Sequence, residues 1–156
     1  MTAPPRVAET AGAAETEALA AQVAGGLVPG DLVLVSGELG AGKTTFVRGA
    51  CRALGVDGPV ASPTFTIGSR HEGRIAVAHL DLYRLEGGAD EDPALLADYL
   101  TPDTVAFVEW PERAPWSLGD PSLAVKLEHL GGDRRRIFVE TKRASTSAAR
   151  ERADPR

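Results

Sequence analysis

The sequence predicts an α/β fold, a three-layer sandwich with a mostly parallel central sheet and an antiparallel hairpin portion. Three observations carry this. The runs Asp31–Ser36 and Thr104–Glu109 are short, apolar and β-branched, as strands buried on both faces of a parallel sheet are. A glycine-rich loop links the first run to a segment whose apolar residues recur at helical spacing. Near the other end, Leu123–Leu130 and Arg135–Thr141 alternate loosely about Gly131-Gly132-Asp133, the pattern of a closing hairpin. With 156 residues, 43% of them hydrophobic, the chain can fill one compact core and is too short for two sizeable ones.

The elements follow in order. Residues 1–8 are rich in Pro and Ala and are expected to be flexible, although Arg6-Val7-Ala8 also fits a short edge strand. The single domain is expected over residues 9–141. Helix formers run from Thr10 to Ala24 and stop at Gly25-Gly26. Pro29-Gly30 turns the chain into the first core strand. After the loop, Phe46, Val47, Ala50, Ala53 and Leu54 mark a helix that Gly55 ends.

Pro63 keeps Ser62 extended, and the β-branched residues to Ile67 then favour a strand. Ser69–Gly73 reads as a turn into a strand over Arg74–Asp81. Glu91–Leu100 suits a short helix with Leu95, Leu96 and Tyr99 inward. From residue 142 to 156 no apolar periodicity remains, and that tail is expected to be disordered.

The chemistry lies in Gly37-Glu38-Leu39-Gly40-Ala41-Gly42-Lys43-Thr44, which fills every specified position of the phosphate-loop pattern G-x-x-x-x-G-K-[ST]. Main-chain N–H groups reach phosphate oxygens where side chains are absent, and the loop opens a helix whose N-terminus favours anions. Lys43 is expected on the β- and γ-phosphates, and Thr44 on Mg²⁺. A strand before and a helix after complete the context of a P-loop NTPase-like fold. The chain contains no Asn, so the Asn-Lys-x-Asp guanine-reading motif is absent and ATP is the expected nucleotide.

Turnover requires further groups around the metal and the attacking oxygen. Asp81 and Glu109 each end an apolar strand, which puts them at the carboxyl edge of the sheet where ligands sit. Either can ligate Mg²⁺ or polarise water, and the sequence does not divide these roles. His79 shares a strand face with Asp81 and reads as a hydrogen-bonded core histidine or a direct participant. Thr64 has the character of a γ-phosphate-sensing switch or of a strand start. Trp110 suits adenine, a partner surface or plain packing, and Arg84 suits transferred charge or a structural ion pair. Arg134-Arg135-Arg136 reads as a partner patch, a lid or a solvated surface.

A net charge of −5 argues against a broad nucleic-acid footprint, so any RNA contact is expected through a partner. Cys51 alone builds neither a disulfide framework nor a multi-cysteine metal site, and fits a packed small hydrophobe. No run approaches a membrane span, and a cytoplasmic location is expected.

Four stretches taken together resemble the TsaE (YjeE) family: Gly37–Gly49, Ser62-Pro63-Thr64-Phe65, His79-Leu80-Asp81-Leu82-Tyr83-Arg84-Leu85, and Glu109-Trp110-Pro111-Glu112. The resemblance covers about Glu15 to Thr141, and the order and spacing are specific where the phosphate loop alone is not. It implies a small phosphate-loop ATPase of weak intrinsic activity, required for threonylcarbamoyl modification of adenosine in tRNA and working with TsaD and TsaB. It implies Lys43, Thr44 and the neighbouring loop residues through Thr45 on nucleotide and Mg²⁺, Ser62 and Thr64 in a switch-like segment, and Asp81, Glu109 and Trp110 near the nucleotide. A metabolite kinase using the same loop is the alternative.

Overall fold

The computed structural model describes residues 5–63, 67–85, 94–114 and 117–142. One sheet of seven strands organises the molecule: β1 (Arg6–Thr10), β2 (Leu32–Gly37), β3 (Gly68–His71), β4 (Ala76–Asp81), β5 (Thr104–Glu109), β6 (Leu123–Gly131) and β7 (Arg134–Thr141). Their spatial order is β1-β7-β6-β2-β5-β4-β3. The central four run parallel, while β1, β7 and β3 join antiparallel at the flanks. The expected mixture of a parallel centre and an antiparallel hairpin is therefore present.

Alternation along the strands sorts the core into two layers. Val33, Val35, Val77, Val105 and Phe107 face α1 (Ala13–Ala24) and α2 (Lys43–Ala53), which pack on one side. Leu32, Ala78, Leu80, Ala106 and Val108 face the other side, covered by the short α3 (Ala94–Ala97) and neighbouring segments through Leu85, Leu96 and Tyr99. The three layers are thus unequal. All six residues of β5 are buried, as its apolar run predicts for the strand between two parallel neighbours.

Some boundaries differ from the sequence reading. The edge-strand reading of Arg6–Ala8 holds and extends to Thr10, so the segment from Arg6 onward is sheet rather than loose chain and α1 begins at Ala13. The strand expected over Ser62–Ile67 is not one where described: Ser62 and Pro63 are irregular and β3 starts at Gly68. The hairpin survives with its turn moved to Glu72–Ile75, because antiparallel pairing of Gly68 with Leu80 fixes its register. The short helix is observed as Ala94–Ala97; Leu96 is buried and Tyr99 packs beside it. The tail from residue 143 lies outside the described residues. Among the described residues no helix is long and apolar enough to cross a membrane.

Cys51 is fully buried on α2, and burial pushes its thiol up to about 12, so it packs as a small hydrophobe. At Gly49 a Cβ would run into the backbone of Glu17 on α1. Gly49→Ala is therefore expected to destabilise the fold by about 1–3 kcal/mol through overpacking. That outweighs the gain of about 1 kcal/mol that Ala brings to an unconstrained helix position. Urea unfolding checks the sign.

Candidate functional site

Three strands deliver the site to one edge. β2 ends at Gly37, β4 at Asp81 and β5 at Glu109, with Asp81 beside Glu109 and Val35 beside Glu109 in parallel register. Counting by twos from Val77 and Val105, which face α2, puts His79, Asp81 and Glu109 on that same face. Gly37, Gly40 and Gly42 have φ of +148°, +80° and +98°, which let the loop wind back into α2. At Gly37 a Cβ would lie 2.6 Å from the Leu127 carbonyl oxygen, so β6 walls the loop. Gly42 caps α2 in a left-handed conformation with no side-chain cap, a helix start of the kind at which an anion can bind.

Lys43 is buried, and its Nζ donates to the carbonyls of Gly37 (2.8 Å) and Glu38 (2.9 Å). The ammonium also lies 4.2 Å from the Trp110 ring centroid. Burial pulls its pKa below the ordinary lysine value, against the opposing pull of Glu109, Asp81, Glu112 and Glu38.

Thr44 Oγ1 lies 3.0 and 3.1 Å from the two carboxylate oxygens of Glu109 and 2.6 Å from Ser62 Oγ. A hydroxyl has one proton, so Thr44 donating to Glu109 leaves Ser62 to donate to Thr44. On its other side Glu109 meets His79 Nε2 at 2.5 Å, with His79 wholly buried. His79 Nδ1 has no hydrogen-bond partner among the described residues. The histidine is thus both a core residue and a direct partner of the strand-end carboxylate.

Asp81 accepts the Tyr83 N–H at 3.0 Å in a local turn and faces the same cleft as Glu109. Trp110 has φ of +58°, the one positive value outside glycine among the described residues, and packs 4.9 Å from the Tyr83 ring. Arg113 sits over both rings. The cleft above the loop has a volume of about 1060 Å³; Leu39, Thr45 and Arg84 border it with the residues already placed. Thr64 lies outside the described residues.

Arg135, expected only as part of a patch, lid or solvated run, is a site residue whose partners the sequence does not reveal. Its guanidinium bonds the Ala41 and Gly40 carbonyls at 3.0 and 3.1 Å. Arg134 and Arg136 turn to the opposite face and pair with Glu9. A run of three arginines looks like one patch, but period-two alternation on a strand separates the middle residue from its neighbours.

The donor set suits a hard cation. Thr44 and Ser62 hydroxyls beside the Glu109 and Asp81 carboxylates match Mg²⁺, which takes one or two carboxylates and completes its shell with phosphate and water oxygens. Among the described residues no three His, Cys, Asp or Glu side chains gather as a self-sufficient cage.

The family model described as "Threonylcarbamoyl adenosine biosynthesis protein TsaE" matches residues 10–137. A tRNA threonylcarbamoyladenosine biosynthesis protein TsaE from Streptomyces coelicolor is 45% identical over 107 residues, spanning 67% of this chain and 72% of that protein. The Bacillus subtilis protein of the same name is 38% identical over 125 residues, 79% and 77% of the two chains. The crystal structure of Bacillus subtilis YdiB superposes with a TM-score of 0.77 at 29% identity, covering 97% of this chain and 95% of that one.

Proposed function

The chain belongs to the TsaE family of threonylcarbamoyl adenosine biosynthesis proteins, and from that premise we propose that it is a Mg²⁺-dependent ATPase that sustains the tRNA modification in concert with a TsaD–TsaB complex. The observation that carries the reading is the bond between Thr44, the first-turn hydroxyl of α2, and the strand-end carboxylate of Glu109. A phosphate loop alone binds. Coupled to a buried acid, it can also hold a metal and order an attacking water.

In this reading main-chain amides of the loop over Gly37–Thr45 receive the triphosphate, the Ala41 N–H only in exchange for its bond to Glu38 O. Lys43 exchanges the Gly37 and Glu38 carbonyls for β- and γ-phosphate oxygens, regaining full ionic partners for a charge that burial disfavours. Thr44, Glu109 and Asp81 would hold Mg²⁺ directly or through water, with Ser62 and Thr64 as the switch-like segment, and the metal would supply charge neutralisation for the phosphates. His79 fixes the orientation of Glu109. Trp110 leaves the Lys43 ammonium to border the nucleotide. The reading carries a cytoplasmic location, with tRNA reached through the partner complex.

Phosphate release from ATP, measured with and without Mg²⁺ and with and without reconstituted TsaD–TsaB, tests it. Slow release that depends on Mg²⁺ and changes on addition of the complex is expected. Transfer of the γ-phosphoryl to a free metabolite, with no response to TsaD–TsaB, would replace this function by the kinase alternative.

A further inference from the structure

We infer that Arg135 is a positioning residue, and that through it the β6–β7 hairpin holds the Gly40 and Ala41 peptides of the phosphate loop in a fixed orientation. The value of the brace to the protein rests on the reading of that loop as a triphosphate cradle.

The side chain spends four of its five N–H donors on main-chain carbonyls. Nε bonds Ala41 at 3.0 Å and Nη2 bonds Gly40 at 3.1 Å, while Nη1 bonds both Gly132 and Arg134 at 2.9 Å. One rigid planar group therefore ties two consecutive peptides of the loop to the hairpin turn. All four bonds go to main-chain carbonyls, so the contact is not an ordinary surface ion pair.

The consequence follows from peptide planarity. A carbonyl held in place fixes its peptide plane, and in a trans peptide the N–H of the next residue then points the opposite way. Holding the Gly40 carbonyl directs the Ala41 N–H away from Arg135, and that N–H is taken by Glu38 O at 3.0 Å. Holding the Ala41 carbonyl likewise directs the Gly42 N–H away from Arg135. These peptides belong to glycine-rich chain with φ of +80° and +98°, which without restraint has the most conformational freedom to lose on binding an anion. A lid arginine would keep its donors for phosphate. Arg135 instead commits most of them to the loop itself, and its fork cannot be reproduced by the single ammonium of lysine.

Hydrogen exchange and nucleotide titration on the full chain test the brace, with Arg136→Ala as the control. Without nucleotide, Arg135→Ala is expected to speed exchange at the Ala41 and Phe46 amides about tenfold, the loss of one to two charge-assisted bonds. Arg136→Ala leaves those amides unchanged, and a thermal melt confirms both folds. Titrated with Mg²⁺ and a non-hydrolysable ATP analogue, Arg135→Ala is expected to bind about tenfold more weakly, and Arg135→Lys to fall between it and the wild type. If Arg135→Ala does not fold, Arg135→Lys carries the same comparison with a smaller shift. Exchange and affinity matching the wild type in the Arg135 variants would overturn the inference. Faster exchange in Arg135→Ala, with no analogue bound by any form including the wild type, would uphold the brace and overturn the cradle.

Discussion

Replacing Glu109 with Gln is expected to lower ATP turnover about a hundredfold to a thousandfold while nucleotide affinity changes by less than about tenfold. Glu109 is buried and bonded at once to Thr44 and His79, so its carboxylate joins the helix start to the sheet interior. Gln keeps the volume and one acceptor but loses the charge. Its NH₂ group also presents a donor where the surrounding groups are donors, so one of those bonds is lost or reversed. The loss falls on kcat because binding of the triphosphate uses mainly loop amides and Lys43. Glu109→Ala adds a structural cost, since His79 would then have neither ring nitrogen paired among the described residues. Single-turnover phosphate release together with a binding titration separates the two effects. Unchanged turnover in Glu109→Gln would remove Glu109 from the site.

The second large effect is expected at Lys43. Lys43→Ala should weaken binding of ATP analogue at least about a hundredfold, a loss of roughly 3 kcal/mol, consistent with removal of a buried charged donor from a phosphate. Folding should suffer far less. The lysine pKa is already lowered by burial, so the folded protein gains little from housing the ammonium in the absence of an anion. The opposing carboxylates of Glu109, Asp81, Glu112 and Glu38 lose a compensating charge, and this limits but does not reverse that expectation. Lys43→Arg should not rescue binding, because a planar fork does not fit where a compact Nζ bonds two adjacent carbonyls. Calorimetric titration with a thermal melt of each variant reads both quantities, and an Ala variant that binds analogue normally would sink the phosphate-loop reading.

Much of this site was legible because its parts are local. The strand-loop-helix unit from Leu32 to Ala53 is contiguous, and strand ends at Asp81 and Glu109 follow from runs of apolar residues that stop at an acid. The shared face of His79 and Asp81 follows from alternation. What the sequence concealed depends on pairing between distant segments. Nothing within Arg134-Arg135-Arg136 reveals that the middle residue meets Gly40 and Ala41, which lie more than ninety positions away. Likewise β3 begins at Gly68 rather than Ser62 because its register is set by β4, and β-branched propensity could not supply that. Thr10 joins β1 instead of α1 for the same reason, its place being fixed by Arg135 across the edge of the sheet. The bond between Thr44 and Ser62 needed the folded loop to bring the two hydroxyls together.

The left-handed backbone at Trp110 has a mechanical consequence. Along an unbroken strand, neighbouring side chains leave opposite faces, yet here an acid and the indole that follows it both border one cavity. The reversal, which costs a bulky residue about 1–2 kcal/mol, is what turns them to the same side. Carboxylate and ring therefore stand on one chamber wall by virtue of a single peptide, and a residue 110 relaxed to ordinary strand angles would turn its side chain out of the chamber while the acid stayed in place.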